Sequence, residues 1–241
     1  MSEFLLMTLY APLASWGEIA VGEMRGSWDR PSRSAVFGLL AAALGLTRVD
    51  QAAHDALDTG YGFAVRQDTA GMPLTDYQTA QTVAAGVLKK KRPATRKAML
   101  EAGAHETILS WRGYRVDAMA TVAIWANAGA RWPLRALADA VRRPKFVLYA
   151  GRKSNPFALP LDPAVVEAAT LKAAFAARPP AKAENILDWR PESGWGTEIA
   201  SDAADVAFTG LTVRRREIRR DAEAQRTRWQ FANRTVEISD G

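Results

Sequence analysis

Within ten residues the chain gathers Arg25, Arg30 and Arg33 with Ser32 and Ser34, directly ahead of an apolar run from Ala35 to Leu46. The run reads as a buried helix. Val36, Phe37, Leu40 and Leu44 recur at helical spacing, Gly38 and its neighbouring alanines allow close approach, and Gly45 stands where a left-handed stop is expected. A helix N-terminus carries partial positive charge and normally recruits Asp or Glu, so cations at this mouth repel it unless an anion joins them. Free backbone N–H groups, two hydroxyls and the guanidinium groups together make a phosphate-sized seat. A second reading fits the same residues: Ser32 caps the helix and the arginines lie in water.

A second cluster, Gly151-Arg152-Lys153-Ser154-Asn155-Pro156, joins a glycine to two cations, a hydroxyl and an amide. Glycine permits close backbone approach, and the polar groups suit a phosphate or a splayed nucleotide. An ordinary loop with incidental basic residues is the alternative.

Acid–base chemistry has few carriers. The histidines are His54, in a polar helical stretch that reads as surface, and His105. A metal-independent ribonuclease needs a base, an acid and a cation, roles that His105, Tyr77 or Tyr114, and Lys89 can fill in principle. Nothing in the spacing brings them together. Cysteine is absent, which removes disulfides, thiolate zinc sites and a thiol nucleophile. With no phosphate-binding loop, nucleophile elbow or His-x-x-x-His pair, the sequence assigns no catalytic residue, metal or cofactor.

These groups need elements to position them. The length, 241 residues, suits one large or two small domains, and an apolar share of 48% can fill a core. Lys and Arg outnumber Asp and Glu by 32 to 26, which favours a polyanionic partner. The N-terminus lacks the features of a secretory signal and the longest apolar run is too short to span a bilayer, so the expected place is the cytoplasm, away from membranes. Strands are expected at Phe4 to Leu13, halted by Pro12, and at Tyr61 to Gln67, Met119 to Trp125 and Phe146 to Ala150. Helices are expected at the run described above and at Pro133 to Val141. That order predicts an α+β, ferredoxin-like domain over 1–160, an antiparallel sheet with two helices on one face. From Asp68 to about Ala104 the apolar rhythm disappears, as in an irregular projection; its Lys89 to Arg92 run reads either as a basic finger or as a disordered insertion. Residues 161–241 hold a short helix at Leu171 to Arg178, a linker at Arg178 to Ala181, and strands at Val206 to Arg215 and Arg228 to Ile238 that predict a small second sheet.

Several blocks in order resemble one family. They are Ala14-Ser15-Trp16-Gly17, Arg25, Pro31-Ser32-Arg33-Ser34 with Gly38-Leu39-Leu40, Phe63-Ala64-Val65-Arg66, Asp76-Tyr77-Gln78-Thr79, His105-Glu106-Thr107 with Trp111-Arg112, Tyr149-Ala150-Gly151-Arg152-Lys153-Ser154, and Gln230-Phe231-Ala232-Asn233-Arg234. Together they are similar to the CasD subunits of type I-E CRISPR Cascade complexes, within the repeat-associated mysterious protein (RAMP) superfamily. The resemblance implies a non-catalytic RNA-binding subunit that holds the 5′ handle of the CRISPR RNA (crRNA). It also implies contacts with the backbone subunit CasC through a thumb at about 68–110 and with the large subunit CasA, and a link to target DNA only through the complex. By position it implies RNA or thumb-base contacts for Arg25, Pro31, Ser32, Arg33, Ser34, Tyr77, Thr79, His105, Glu106, Thr107, Trp111, Arg112, Tyr149, Gly151, Arg152, Lys153, Ser154 and Asn155. Stacking of Tyr77 or Trp111 on an unpaired base suits their chemistry. Two departures stand out: Asn155 replaces an expected cysteine, and Ala80 to Ala104 is longer than the expected thumb. The alternative from another class is a repeat-cleaving endoribonuclease, as in type I-C systems; a third is an assembly protein without RNA contact.

Overall fold

Eight consecutive residues of the first strand, Phe4 to Ala11, are buried, which requires cover on both faces of the sheet. The computed structural model describes residues 1–84, 86, 94–101, 103, 105–178, 198–203, 205–225, 228 and 230–241. Among them β1 (Ser2–Ala14) lies between β5 (His105–Ala126) and β6 (Ala164–Ala168) in a sheet ordered β6-β1-β5-β3-β7-β9-β8. The other members are β3 (Tyr61–Thr69), β7 (Glu198–Ser201), β8 (Val213–Gln225) and β9 (Gln230–Asp240), and every neighbouring pair along this path is antiparallel. One face carries α1 (Arg33–Leu44), α2 (Gln51–Gly60) and α4 (Leu134–Arg142) over Leu5, Met7, Leu9, Phe63, Val65 and Ile124. The other carries α5 (Leu171–Ala177) and the one-turn α6 (Val206–Thr209) over Phe4, Leu6, Ala64 and Trp125. No helix among the described residues is long and apolar enough to cross a membrane.

Helix α1 follows its sequence signals. Ser32 Oγ accepts from Ala35 N–H, and Gly45, at φ 77°, sends its N–H to Ala42 O and closes the helix. In α4, Leu134, Leu137 and Val141 form the buried stripe that their spacing predicts.

Several expectations change. Pro12 does not halt β1, because it stands opposite Asp117, the pair missing from the β1–β5 ladder, where no N–H is needed. The stretch after Asp68 is not irregular over most of its described length. Residues of β4 (Met72–Val83) pair in register with the first half of β5, from Met72 opposite Val116 to Val83 opposite His105, and α3 (Arg96–Glu101) lies beyond. Of this hairpin's paired residues Val83 and Tyr114 alone are buried, so its strands carry no core-facing alternation to read. The Lys89 to Arg92 run lies outside the described residues. Asp68 itself is buried, receiving Arg66 Nε at 2.6 Å and Thr121 Oγ1 at 2.5 Å.

Phe146 to Ala150 does not form the fourth strand. Its backbone is tied elsewhere: Phe146 N–H reaches Ala42 O at the end of α1, and Ala150 O accepts from Ser15 N–H. The edge of β1 is taken by β6, pairing Ser2 with Ala168 through Leu6 with Ala164. Val206 begins α6, which Asp205 caps and Gly210 ends, rather than a strand. The C-terminal strands extend the main sheet through β7 on β3 instead of building a second one. His54 is buried on the inner side of α2, its Nε2 3.0 Å from Thr47 O, rather than lying on the surface. The expected linker lies beyond Arg178, outside the described residues.

Charge joins the C-terminal strands to the start of α1. Arg33 is buried; its Nε donates to Asp58 Oδ1 at 3.0 Å and its Nη1 contacts Asp202. Arg234 bridges Asp202 and Asp221, and Asp221 Oδ2 accepts the Arg33 backbone N–H at 2.9 Å. A neighbouring cluster sets Arg30 between Glu198 and Glu217, each at 3.1 Å, with Arg215 and Arg219 on the same carboxylates. The anion demanded by the cationic helix mouth is therefore the chain's own.

Removing one partner of a buried pair strands the other charge, so Asp221→Ala should lower unfolding stability by about 3–5 kcal/mol. Glu101→Gln, at the exposed Lys97–Glu101 pair, should leave it unchanged, both measured by urea denaturation. Hydrogen bonding from Arg215, then Arg30, holds the Glu198 carboxyl down from 4.5 to about 2 despite partial burial. A group depressed on folding stabilises above its unfolded value and loses that contribution as pH falls toward its folded one. Glu198→Gln should therefore flatten the decline of stability between pH 4.5 and about 2, which denaturation at stepped pH will read.

Candidate nucleic-acid interface

The loop after α4 is built to touch β1. Ala150 N–H donates to Asn155 O at 2.8 Å, Asn155 N–H to Arg152 O at 2.9 Å, and the buried Asn155 amide to Ala150 O at 3.3 Å. Gly151 has φ 81°, and a Cβ there would fall 1.6 Å from Ser15 O. The close approach that this glycine permits is thus to Ser15 backbone. Two segments about 135 residues apart are pinned together here, which sets Trp16 and Gly17 beside Tyr149.

The start of α1 opens into the space between them. Ser32 and Ser34 hydroxyls lie 3.2 Å apart at its floor. A cavity of about 320 Å³ reaches over Gly38, Leu39 and Ala42 toward Val147 and Tyr149. A second, of about 470 Å³, runs past Trp28 and the 18–20 loop. They share Trp16, Gly17, Ser32, Ser34 and Phe231, so one groove crosses the helix mouth. Trp16 is 2% exposed, and its indole N–H has no partner among the described residues.

Beyond Gly151 the surface becomes cationic and aromatic. The Arg152 guanidinium lies 4.3 Å from the Tyr114 ring centre and donates to Arg25 O at 3.3 Å. Lys153 and Ser154 are exposed. Arg25 is exposed too, in β2 (Met24–Arg25), which pairs parallel with Trp111 and Arg112 of β5. Tyr77 faces Trp111 across the hairpin, ring centres 5.1 Å apart, with Tyr77 52% exposed.

The residues singled out in the sequence therefore divide. Ser32, Ser34, Tyr149 and Gly151 line the groove, with Pro31 buried beside it. Arg25, Arg152, Lys153, Ser154, Arg112, Trp111 and Tyr77 continue the surface from Gly151 to the middle of the hairpin. Thr79, His105, Glu106 and Thr107 lie further out along it. Arg33 and Asn155 are buried with their polar groups engaged inside the protein. His105 pairs opposite Val83, six rungs from Tyr77, which is about 20 Å at strand spacing, and Tyr114 lies further still. The potential acid–base groups are thus apart, and Lys89 is outside the described residues. Sequence reasoning gave no role to Phe231 or Arg220, which β8 and β9 bring to the groove from the far end of the chain. Of the two, the Gln230-Phe231-Ala232-Asn233-Arg234 block signalled Phe231.

The chain is 32% identical over 169 residues to the CRISPR system Cascade subunit CasD of Escherichia coli strain K12, spanning 67% of this chain and 70% of that protein. A chain of a CRISPR RNA-guided surveillance complex has the same fold, with TM-score 0.58 and 23% identity, covering 98% of this chain and 90% of the other. The crystal structure of a Cas protein superposes with TM-score 0.56 and 24% identity, covering 98% and 93%. The sequence model of the CRISPR-associated protein family Cas5 matches residues 4–237. On that match across nearly its whole length, the chain belongs to the Cas5 family of CRISPR-associated proteins.

Proposed function

We propose that this chain is a non-catalytic subunit of a type I-E Cascade surveillance complex, working in the cytoplasm and holding the 5′ handle of the crRNA across the mouth of α1. One observation carries this reading. The Trp16, Ser32–Ser34 and Tyr149–Gly151 segments, distant in sequence, meet in one groove; Arg33 at the helix mouth is already paired inside the protein, and just past Gly151 the cations Arg25 and Lys153 are exposed. Outward cations and hydroxyls grip a backbone without reading bases, while the adjoining Tyr77–Trp111 pair offers a face for an unstacked one.

The order β6-β1-β5-β3, antiparallel throughout and with α1 and α4 on one face, supports a ferredoxin-like unit; its edge strand β6, at 164–168, carries that unit past the expected boundary at 160, and the later strands close on it. The β4–β5 hairpin then serves as the thumb of about 68–110, its exposed Met72, Leu74 and Ile108 available to the backbone subunit CasC. CasA and, through it, target DNA complete the expected partners. The separation of His105 from Tyr77 and Tyr114 favours guide holding over repeat cleavage.

Phosphate neutralisation gives a log–log salt slope of about −0.7 per single-strand contact. The purified chain should bind RNA carrying the repeat-derived handle with a salt-dependent affinity, and Arg25→Ala/Lys153→Ala should reduce both affinity and slope in fluorescence anisotropy. Equal affinity and slope for parent and variant would contradict the reading. In a parallel incubation with the whole repeat, without metal, the RNA should stay intact; site-specific cleavage that His105→Ala abolishes would instead establish the endoribonuclease.

A further inference from the structure

The wall of the groove facing the 16–20 loop comes from β8 and β9. Phe231 is half-buried and lines both cavities at the point where they meet. Arg220 lies beside it, exposed, its Nε donating to Phe231 O at 3.0 Å. The adjacent carboxylate, Asp221, is buried and already receives the Arg33 backbone N–H and the Arg234 guanidinium, so it does not repel an incoming anion. Glu18 is the acidic residue on the opposite rim of the second cavity, and it is exposed to water. At the junction the buried Trp16 indole N–H lacks an acceptor among the described residues.

An aromatic ring between two cavities, with a guanidinium held beside it and hydroxyls on the floor, suits consecutive nucleotides of a single strand. Each base has a π-face for the ring, and the phosphate between them falls near the cation. We propose that the β8–β9 hairpin is part of the RNA-binding surface, with Phe231 stacking on a nucleobase and Arg220 meeting the adjoining phosphate. This rests on the guide-holding reading and adds to it a contact from the C-terminal strands, which dock through the Asp202 and Asp221 ion pairs.

The test uses the full chain and a fluorescein-labelled single-stranded RNA of about ten nucleotides, within the length that one such groove covers. Phe231→Ala and Phe231→Leu should each weaken binding by about 5- to 150-fold, the range for loss of one stacked base, whereas Phe231→Tyr should bind like the parent. Arg220→Ala should flatten the log–log salt slope by about 0.7. Photo-crosslinking of 4-thiouridine RNA to the unsubstituted chain should label the tryptic peptide 229–234, a readout that a purely structural role for Phe231 would not give and that does not depend on a variant folding. If the parent binds and Arg25→Ala/Lys153→Ala weakens it, while Phe231→Leu and Arg220→Ala bind like the parent and 229–234 stays unlabelled, this inference is wrong and the guide-holding reading stands. If the parent shows no salt-dependent RNA binding, both fall together.

Discussion

Positive charge at the start of α1 is the constraint around which the structure is arranged. A helix whose first turn contains Arg33, with Arg30 just ahead, opposes its own dipole and needs compensation close by. Besides Asp58, that compensation comes from residues about 170 to 190 positions later: Asp202 and Asp221 on one side, Glu198 and Glu217 on the other. Because these carboxylates sit on or beside β7 and β8, the sheet beyond β3 is secured to the helix mouth as well as to its neighbouring strand. Buried ion pairs add little net stability over a well-packed apolar contact, but losing one partner leaves an expensive orphan charge. The pairing therefore specifies where the last strands lie.

This arrangement divides the basic residues into two kinds. Arg30, Arg33, Arg66, Arg219 and Arg234 are buried or nearly so and face carboxylates. Arg25, Lys153 and Arg220 face outward around the groove. The excess of 32 basic over 26 acidic residues does not reveal which are which. On the proposed guide-holding reading, the inner ones fix the helix mouth and the outer ones meet a polyanion whose counterions they release.

How much of this could be read from the sequence differs by element. Helices α1 and α4 were legible because caps and a one-sided apolar stripe are local signals, and β3 because its apolar run is short and bounded. The hairpin was not, since a ribbon with so few buried residues carries no periodicity. The edge strand was misplaced because Phe146 to Ala150 has strand-like residues whose backbone groups are claimed by α1 and β1, a tertiary fact. In the candidate site, the Pro31–Ser34 and Gly151–Ser154 motifs do converge, but two details were invisible. Arg33 spends its charge on Asp58 and Asp202, and Gly151 yields space to Ser15 rather than to a phosphate. Both depend on partners more than twenty residues away. Phe231 and Arg220 reach the groove only through the strand order β7-β9-β8.

Hydrogen–deuterium exchange of the full chain, with and without handle RNA, tests the central claim most directly. If RNA crosses the mouth of α1, added RNA should slow exchange together in peptides covering residues 14–20 and 147–155, and leave α5 on the opposite face unchanged. Protection confined to α5 and α6, with the two groove segments exchanging as in the free protein, would contradict it.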